Sequence, residues 1–175
     1  MRVKPNGWGT YEGKVKLSAN KNRDFKPHII PEGMVVKIDT REQSPLWLPK
    51  PPKDLCVMRG TLKNGDYSIV GFEDTFAIER KMGDIFTYIT SDRENTNEKI
   101  KRMLGYEFKA LVIEMDEDEL YAPQMYTEIP MEVIRQTINS FEVKSGLHVY
   151  YGNREKLERK VLDWMIYYWN YKHEI

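Results

Sequence analysis

The chain has 175 residues, of which 41% are hydrophobic and 31% are charged, a composition typical of one globular domain. Its formal net charge is zero, which excludes a globally basic nucleic-acid-binding protein. A single cysteine excludes a disulfide framework, and three widely separated histidines offer no zinc-ligand spacing. No apolar run has transmembrane length and the first residues do not resemble a secretory signal, so we expect an intracellular protein with no membrane segment.

Positive charge is concentrated at the start of the sequence. Residues 1–27 contain seven basic and two acidic side chains, so the rest of the chain is net negative. We interpret 1–33 as a basic N-terminal arm or small hairpin, followed by one domain over 34–175. A basic arm suits a polyanion, and a solvated tail explains the same residues equally well. Any contact with nucleic acid is therefore expected to be local or assisted by metal ions.

Apolar runs between turn residues predict four strands in the first half of the domain. They cover residues 34–39, 55–60, 67–71 and 72–81. The segment 44–54 contains four prolines and is predicted as an extended loop, because proline lacks an amide donor and fixes the backbone. The turn at 64–66 and the return strand predict antiparallel neighbours that meet near Asp66 and Glu79.

Helices and strands alternate in the second half. Helical turns are predicted at 84–89 and 98–104, strands at 109–115 and 146–152, and polar connections at 90–97 and 116–130. Pro130 is expected to begin a helix with an apolar face of Met131, Ile134, Ile138 and Phe141. Asn153 is the predicted N-cap of the last helix, whose apolar face is Leu157, Val161, Met165 and Tyr168. This order predicts an α/β fold with a central mixed β-sheet flanked by α-helices.

Charged side chains at a predicted strand end form the centre of a candidate site. Glu79 and Lys81 are two residues apart, so they share one face of the strand, while Arg80 points to the other face. A carboxylate is a suitable ligand for a hard divalent cation such as Mg²⁺. A neighbouring ammonium can orient a water nucleophile or stabilise a charged transition state. The pair therefore suits metal-assisted hydrolysis of a phosphodiester.

Further acids are needed, because one carboxylate is too few for Mg²⁺. Asp66 is the nearest candidate, and Asp39 and Glu42 lie at the end of the first strand and just beyond it. Ligands of open α/β sheets lie at such strand ends. Taken alone, Glu79 to Lys81 is explained by a solvated strand end, Asp66 by a turn, and Asp39 with Glu42 by a local ion pair. The prediction of a metal site therefore depends on the three groups occurring together. The acidic segment 114–120 is more typical of a solvated strand end than of a second metal site, although Glu114 lies near the end of a central strand.

Three stretches together resemble a known family. "VVKIDTREQSPL", "LKNGDYSIV" and "FAIERK" follow one another in the order of the XPF-type structure-specific nucleases, members of the restriction-endonuclease-like PD-(D/E)xK superfamily. The resemblance covers 35–84 closely, and the downstream pattern is compatible to about Tyr168. It implies a restriction-endonuclease-like core. With no helicase domain and no tandem helix-hairpin-helix repeat beside the motifs, we expect a minimal, stand-alone form.

The resemblance assigns roles to acids and bases at matching positions. It implies metal binding by Asp39, Glu42, Asp66 and Glu79, and catalytic positions at Asp66, Glu79, Lys81, Arg41 and Arg80. Lys81 corresponds to the catalytic lysine, while the two arginines hold carboxylates or contact a phosphate. Asp84 follows one residue earlier than the family pattern, so it is either a shifted site member or a cap of the next helix.

The function implied by the resemblance is a Mg²⁺- or Mn²⁺-dependent DNA endonuclease. Branched or flapped DNA in repair, recombination or replication is the implied substrate, and a homodimer is an implied assembly. The aromatic segment 164–171 covers more of the last helix than one core face needs, which suits a dimer surface. The alternative is a non-catalytic, nuclease-like scaffold for DNA binding or dimerisation. Filled catalytic positions favour the enzyme.

Overall fold

The computed structural model of the protein describes residues 29–122 and 129–173. Six strands and five helices lie within these ranges: β1 (Val35–Ile38), β2 (Cys56–Arg59), β3 (Tyr67–Ile69), β4 (Phe76–Lys81), α1 (Ile85–Ile89), α2 (Arg93–Arg102), β5 (Phe108–Ile113), α3 (Glu117–Leu120), α4 (Met131–Ser145), β6 (His148–Tyr151) and α5 (Arg154–His173). Residues 1–28 of the predicted arm and 123–128 of the predicted connection lie outside the described part. No helix within that part is long and apolar enough to span a membrane.

The strands form one mixed sheet in the order β2-β1-β3-β4-β5-β6. β3 runs antiparallel to both of its neighbours, and the other pairs are parallel. The α/β fold with a central mixed sheet is therefore confirmed, as is the antiparallel pairing of the strands near Asp66 and Glu79. Because β1 and β4 lie on either side of β3 and point the same way, their carboxyl ends meet at one edge of the sheet.

Apolar side chains cover both faces of the sheet and form two hydrophobic cores. On one face, Phe76 and Ile78 pack with residues of α5. On the other, Ala77 packs with residues of α1, α2 and α4. This alternation along β4 places Glu79 and Lys81 on the α1–α2 face and Arg80 on the α5 face.

The last helix begins as predicted. The Asn153 side chain accepts a hydrogen bond from the Lys156 backbone amide at 3.0 Å, which is N-cap geometry. Its predicted apolar face is buried: Leu157, Val161, Met165 and Tyr168. Burying each aliphatic side chain of this set contributes about 1.5–3 kcal/mol. In α4, the predicted face is buried at Ile134, Ile138 and Phe141, whereas Met131 is 43% exposed.

Two predicted connections contain helix. The polar segment 90–97, predicted as a loop, includes the start of α2 at Arg93. Thr96 and Ile100 are the buried side chains of this helix, and the Thr96 hydroxyl donates to the Tyr88 carbonyl at 2.6 Å. The first half of α2, residues 93–97, contains no apolar residue, which is why the sequence pattern placed it in a loop. The acidic residues after β5 form the short helix α3 rather than a loop.

Candidate functional site

Backbone hydrogen bonds fix Asp66 between two strands. The Asp66 amide donates to the Ile78 carbonyl and its carbonyl accepts from the Asp39 amide, both at 2.8 Å. The Asp66 carboxylate accepts a hydrogen bond from the Arg80 amide at 2.7 Å. Gly65 just before it has φ +76°, and a Cβ there would lie 2.9 Å from the Ile78 carbonyl oxygen. Glycine is therefore needed for Asp66 to approach β4 this closely.

Glu79 and Lys81 interact directly on the α1–α2 face of β4. Glu79 is 3% exposed, and its Oε1 lies 3.0 Å from the Lys81 Nζ. Lys99 of α2 approaches the same oxygen at 3.4 Å. The Lys81 ammonium also lies 4.8 Å from the centre of the Tyr88 ring, a cation–π contact. One buried carboxylate thus serves two ammonium groups.

The two site carboxylates repel each other. Burial and, second, the negative charge of Glu79 raise the pKa of Asp66 to about 7. Burial lowers the pKa of Lys81, but attraction by Glu79 outweighs it, so the pKa of the lysine is raised overall. A pair of buried acids whose ionised forms repel is an arrangement that a divalent cation would stabilise.

Asp66, Glu79 and Lys81 line a cavity of about 190 Å³ that contains more cations than acids. The other charged or polar side chains in its wall are Arg41, Lys63, Asn64, Lys99 and Arg102. Net charge is zero over the whole chain, so positive charge is concentrated at this place. Among these residues, the sequence identified only Arg41 as a candidate. Lys99 and Arg102 lie in the helical turns predicted at 98–104, but no local pattern shows that these turns pack beside the strand end that carries Glu79.

Asp39 has a different environment. Its carboxylate is fully buried and accepts hydrogen bonds from the Arg41 side chain at 2.7 and 3.1 Å. The backbone amides of Arg41 and Leu62 donate to it at 2.8 and 2.7 Å. Burial alone would raise the pKa of Asp39, but these donors lower it to about 2. Asp39 does not line the cavity; it holds Arg41, which does.

Glu42 and Arg80 belong to the opposite face of β4. Arg80 is 4% exposed and donates from Nη1 to Glu42 at 3.2 Å and to the Ser44 carbonyl at 2.9 Å. Its Nε and Nη2 both donate to Glu114, the former at 2.9 Å. Glu114, noted in the sequence for its place near the end of a strand, is therefore an ion-pair partner of Arg80. Glu42 lies beside a second cavity of about 270 Å³, which Asp66 and Lys81 also line.

The sequence left Asp84 as either a shifted member of the site or a cap of the next helix. Its carboxylate is 3.5 Å from the Lys81 Nζ and accepts from the Met82 amide at 3.0 Å. It makes no side-chain cap hydrogen bond to α1, although it is the residue that precedes this helix. Asp84 thus contacts the site lysine and closes the turn after β4.

Two carboxylates of the site are available as ligands for a Mg²⁺ or Mn²⁺ ion. Within 29–122 and 129–173, no group of three or more His, Cys, Asp or Glu side chains is arranged to hold a metal. Asp66 and Glu79 are a carboxylate pair. Mg²⁺ in phosphate-processing sites is commonly held by one or two carboxylates, with water and substrate phosphates as the other ligands. The pair satisfies that requirement.

Solved structures of known proteins share the fold of this chain. No protein-family model matches the sequence, and a search of curated proteins finds no match. The structure matches that of XPF from Aeropyrum pernix, with a TM-score of 0.59 and 19% identity, over 75% of this chain and 59% of that chain. It also matches XPF from Aeropyrum pernix in complex with DNA, with the same TM-score and identity, over 79% of this chain and 66% of that one. The chain has an XPF-like fold.

The resemblance stated from the motifs is thereby confirmed for the fold. At 19% identity, likeness to the solved structures establishes the architecture alone. The chain spans 59% and 66% of the length of the two XPF chains. The XPF-like fold places the "GD" and "ERK" residues of the motifs at adjoining strand ends.

Proposed function

We propose that this protein is a divalent-metal-dependent DNA endonuclease. The observation that carries the proposal is the convergence of Asp66, Glu79 and Lys81 on one cavity, at adjoining strand ends of an XPF-like fold. The surrounding cations suit a polyanionic substrate. Hydrolysis of a phosphodiester is the reaction for which this set of groups is suited.

Asp66 and Glu79 hold the cation, Mg²⁺ or Mn²⁺, in this proposal. When bound there, the cation lowers the pKa of a bound water and neutralises charge that develops on the phosphate. Asp66 is held for this purpose by the Arg80 amide, and Glu79 by the rigid strand β4. Both carboxylates are therefore preorganised by backbone rather than by flexible loops.

Lys81 acts as a charged hydrogen-bond donor rather than as a base. Its pKa is raised by Glu79 despite the opposing effect of burial, so it stays protonated at neutral pH. The ammonium orients the attacking water or stabilises charge that develops in the transition state. The Tyr88 ring and Asp84 help to hold it when Glu79 is engaged elsewhere.

The remaining motif residues act as supports in this proposal. Asp39 orients Arg41, whose side chain is 71% exposed and is placed to contact a phosphate. Arg80 binds Glu42 and Glu114 with its side chain and Asp66 with its amide. We therefore assign Asp39 and Glu42 to positioning, and only Asp66 and Glu79 to direct metal binding.

DNA is the proposed substrate. One of the solved structures that this chain resembles is XPF in complex with DNA. The motif resemblance extends the proposal to branched or flapped DNA in repair, recombination or replication. A homodimer is the proposed assembly, and Tyr167 and Tyr171 on α5, 71% and 74% exposed, are aromatic side chains available for such an interface.

A non-catalytic scaffold is the alternative. The observation that favours it is the pairing of Glu79 with two lysines, which already balances its charge without a metal. Such a protein would bind DNA without cleaving it in any divalent metal.

A cleavage panel distinguishes the two functions. The wild-type protein is incubated with flap, fork and Holliday-junction DNA in Mg²⁺, in Mn²⁺ and in EDTA. We expect cleavage in the metals only, and a loss of about a hundredfold or more in Glu79→Gln and Lys81→Met. Lys101→Gln is the matched control, since Lys101 pairs with Glu98 on the outer face of α2. Equal activity in all four proteins would contradict the assignment.

A further inference from the structure

Helix α2 presents two of its cations, Lys99 and Arg102, to the cavity. Thr96 and Ile100 are the buried side chains of the helix, and Lys99 and Arg102 both line the cavity. They are three residues apart, so they lie on one side of the helix. Lys101 faces outward and pairs with Glu98. The side of α2 that faces the cavity therefore carries two positive charges, those of Lys99 and Arg102.

Lys99 shares its ion-pair partner, Glu79, with Lys81. Its side chain is 41% exposed, and its Nζ is 3.4 Å from the Glu79 Oε1, which Lys81 approaches more closely at 3.0 Å. The ammonium also lies 6.0 Å from the centre of the Tyr88 ring. A long, half-exposed lysine that shares a carboxylate with another lysine keeps donors for a further acceptor.

Arg102 is positioned by a neutral partner. Its Nε donates to the Asn64 Oδ1 at 3.2 Å, and the Asn64 amide donates to the Tyr106 hydroxyl at 3.0 Å. Asn64 is 7% exposed, so it is a fixed support. Because an amide does not neutralise a guanidinium, the contact with Asn64 holds Arg102 at the cavity without cancelling its charge and leaves further donors for a phosphate.

We propose that Lys99 and Arg102 form a phosphate-binding pair, which holds a backbone phosphate of the DNA strand next to the phosphate that is hydrolysed. The inference rests on the proposed function for its substrate and gives that substrate a defined place along α2. Lys81, beside Glu79, acts on the reacting phosphate; the α2 pair holds its neighbour. Contacts to phosphate fix position and carry no sequence information. The pair therefore contributes affinity and register for DNA of any sequence.

The test measures DNA binding without cleavage. Binding of a fluorescein-labelled flap duplex in EDTA is followed by anisotropy over a range of salt concentrations, for wild type, Lys99→Gln, Arg102→Gln and the control Lys101→Gln. We expect each cavity variant to weaken binding about tenfold. We also expect the slope of log K against log salt to become shallower by about 1. Lys101→Gln should leave both unchanged, and thermal unfolding verifies that each variant is folded.

The kinetic readout separates binding from chemistry. For a residue that holds a neighbouring phosphate, KM with flap DNA rises and kcat at saturating DNA is unchanged. Lys99→Arg, which keeps the charge, should restore the salt slope. Salt slopes at Lys99 and Arg102 equal to that of Lys101→Gln would overturn the inference, and so would a fall in kcat with unchanged binding.

The inference and the proposed function fail in different ways. A wild-type protein that shows the α2-dependent salt slope but cleaves no DNA in any divalent metal contradicts the nuclease and supports the phosphate pair. A protein that cleaves, with no contribution from the α2 pair, supports the nuclease and contradicts the pair. Wild-type protein that binds no DNA contradicts both.

Discussion

The two faces of β4 near its carboxyl end carry charge in different ways. On the α1–α2 face, Glu79 and Lys81 border a cavity in which cations outnumber acids. On the α5 face, Arg80 is 4% exposed and enclosed by Glu42, Glu114 and a backbone carbonyl. Three consecutive residues thus divide between a cluster with an excess of positive charge and a cluster in which one guanidinium pairs with two carboxylates. The first face is therefore suited to bind a ligand, while the second stabilises the strand end that presents it.

The largest expected effect is on the α5 face. Arg80→Met should lower the free energy of unfolding by about 3 kcal/mol, because two largely buried carboxylates lose their partner. Urea unfolding measures it. Lys99→Met on the α1–α2 face is the comparison: its ion pair is partly exposed, so we expect a loss of about 1 kcal/mol or less. Equal losses would remove the distinction between the two faces.

The next effect concerns the pH dependence of stability at Asp39. The pKa of this carboxyl is lower in the folded protein, about 2, than the ordinary value of an unfolded aspartate, so its ionised form stabilises the fold above about pH 4. This stabilisation is lost as the pH falls toward 2. It amounts to about 2 kcal/mol. The gap in unfolding free energy between wild type and Asp39→Asn should shrink by this amount between about pH 5 and about pH 2; a constant gap would contradict the anchoring role.

A smaller effect is expected at the turn that carries Asp66. Gly65→Ala should cost about 1–2 kcal/mol, since alanine at φ +76° is strained and its Cβ would crowd the Ile78 carbonyl. Gly83→Ala is the matched control, because a Cβ at that position would meet no atom within 4 Å beyond its chain neighbours and its φ is not positive. Thermal unfolding measures both. Similar melting temperatures for the two variants would show that Asp66 does not need this close approach.

The smallest effect separates the ring of Tyr88 from its hydroxyl. The hydroxyl is buried and has no hydrogen-bond partner among the described residues, so Tyr88→Phe should leave cleavage and stability nearly unchanged. Tyr88→Leu removes the ring beneath Lys81 and should slow cleavage about threefold. Single-turnover cleavage rates measure the difference. A loss in the Phe variant equal to that in the Leu variant would assign the role to the hydroxyl instead.

Local periodicity made part of this site predictable. The two-residue alternation of a strand is enough to place Glu79 with Lys81 and apart from Arg80. The turn before β3 is enough to bring Asp66 to β4. The apolar runs and their order are likewise enough for the mixed α/β sheet. These features depend on residues close together in the chain or on whole elements.

Contacts between distant residues were not predictable. The role of Asp39 depends on the Leu62 amide, 23 residues away, and the partner of Arg80 is Glu114, 34 residues away. Lys99 lies in a segment that was predicted as helical, but its contact with Glu79, 20 residues away, depends on how α2 packs beside the sheet. A sequence motif identifies which residues are charged at strand ends; the fold decides which of those charges already have partners.

Binding of Mn²⁺ followed by calorimetry tests the central claim most directly, because it compares the two faces without requiring cleavage. Wild type and Glu42→Gln should bind the ion alike, since Glu42 faces Arg80. Glu79→Gln should lose the binding, since it removes one of the two carboxylates in the cavity. Undiminished binding in Glu79→Gln, or its loss in Glu42→Gln, would contradict the assignment of the metal to the α1–α2 face of β4.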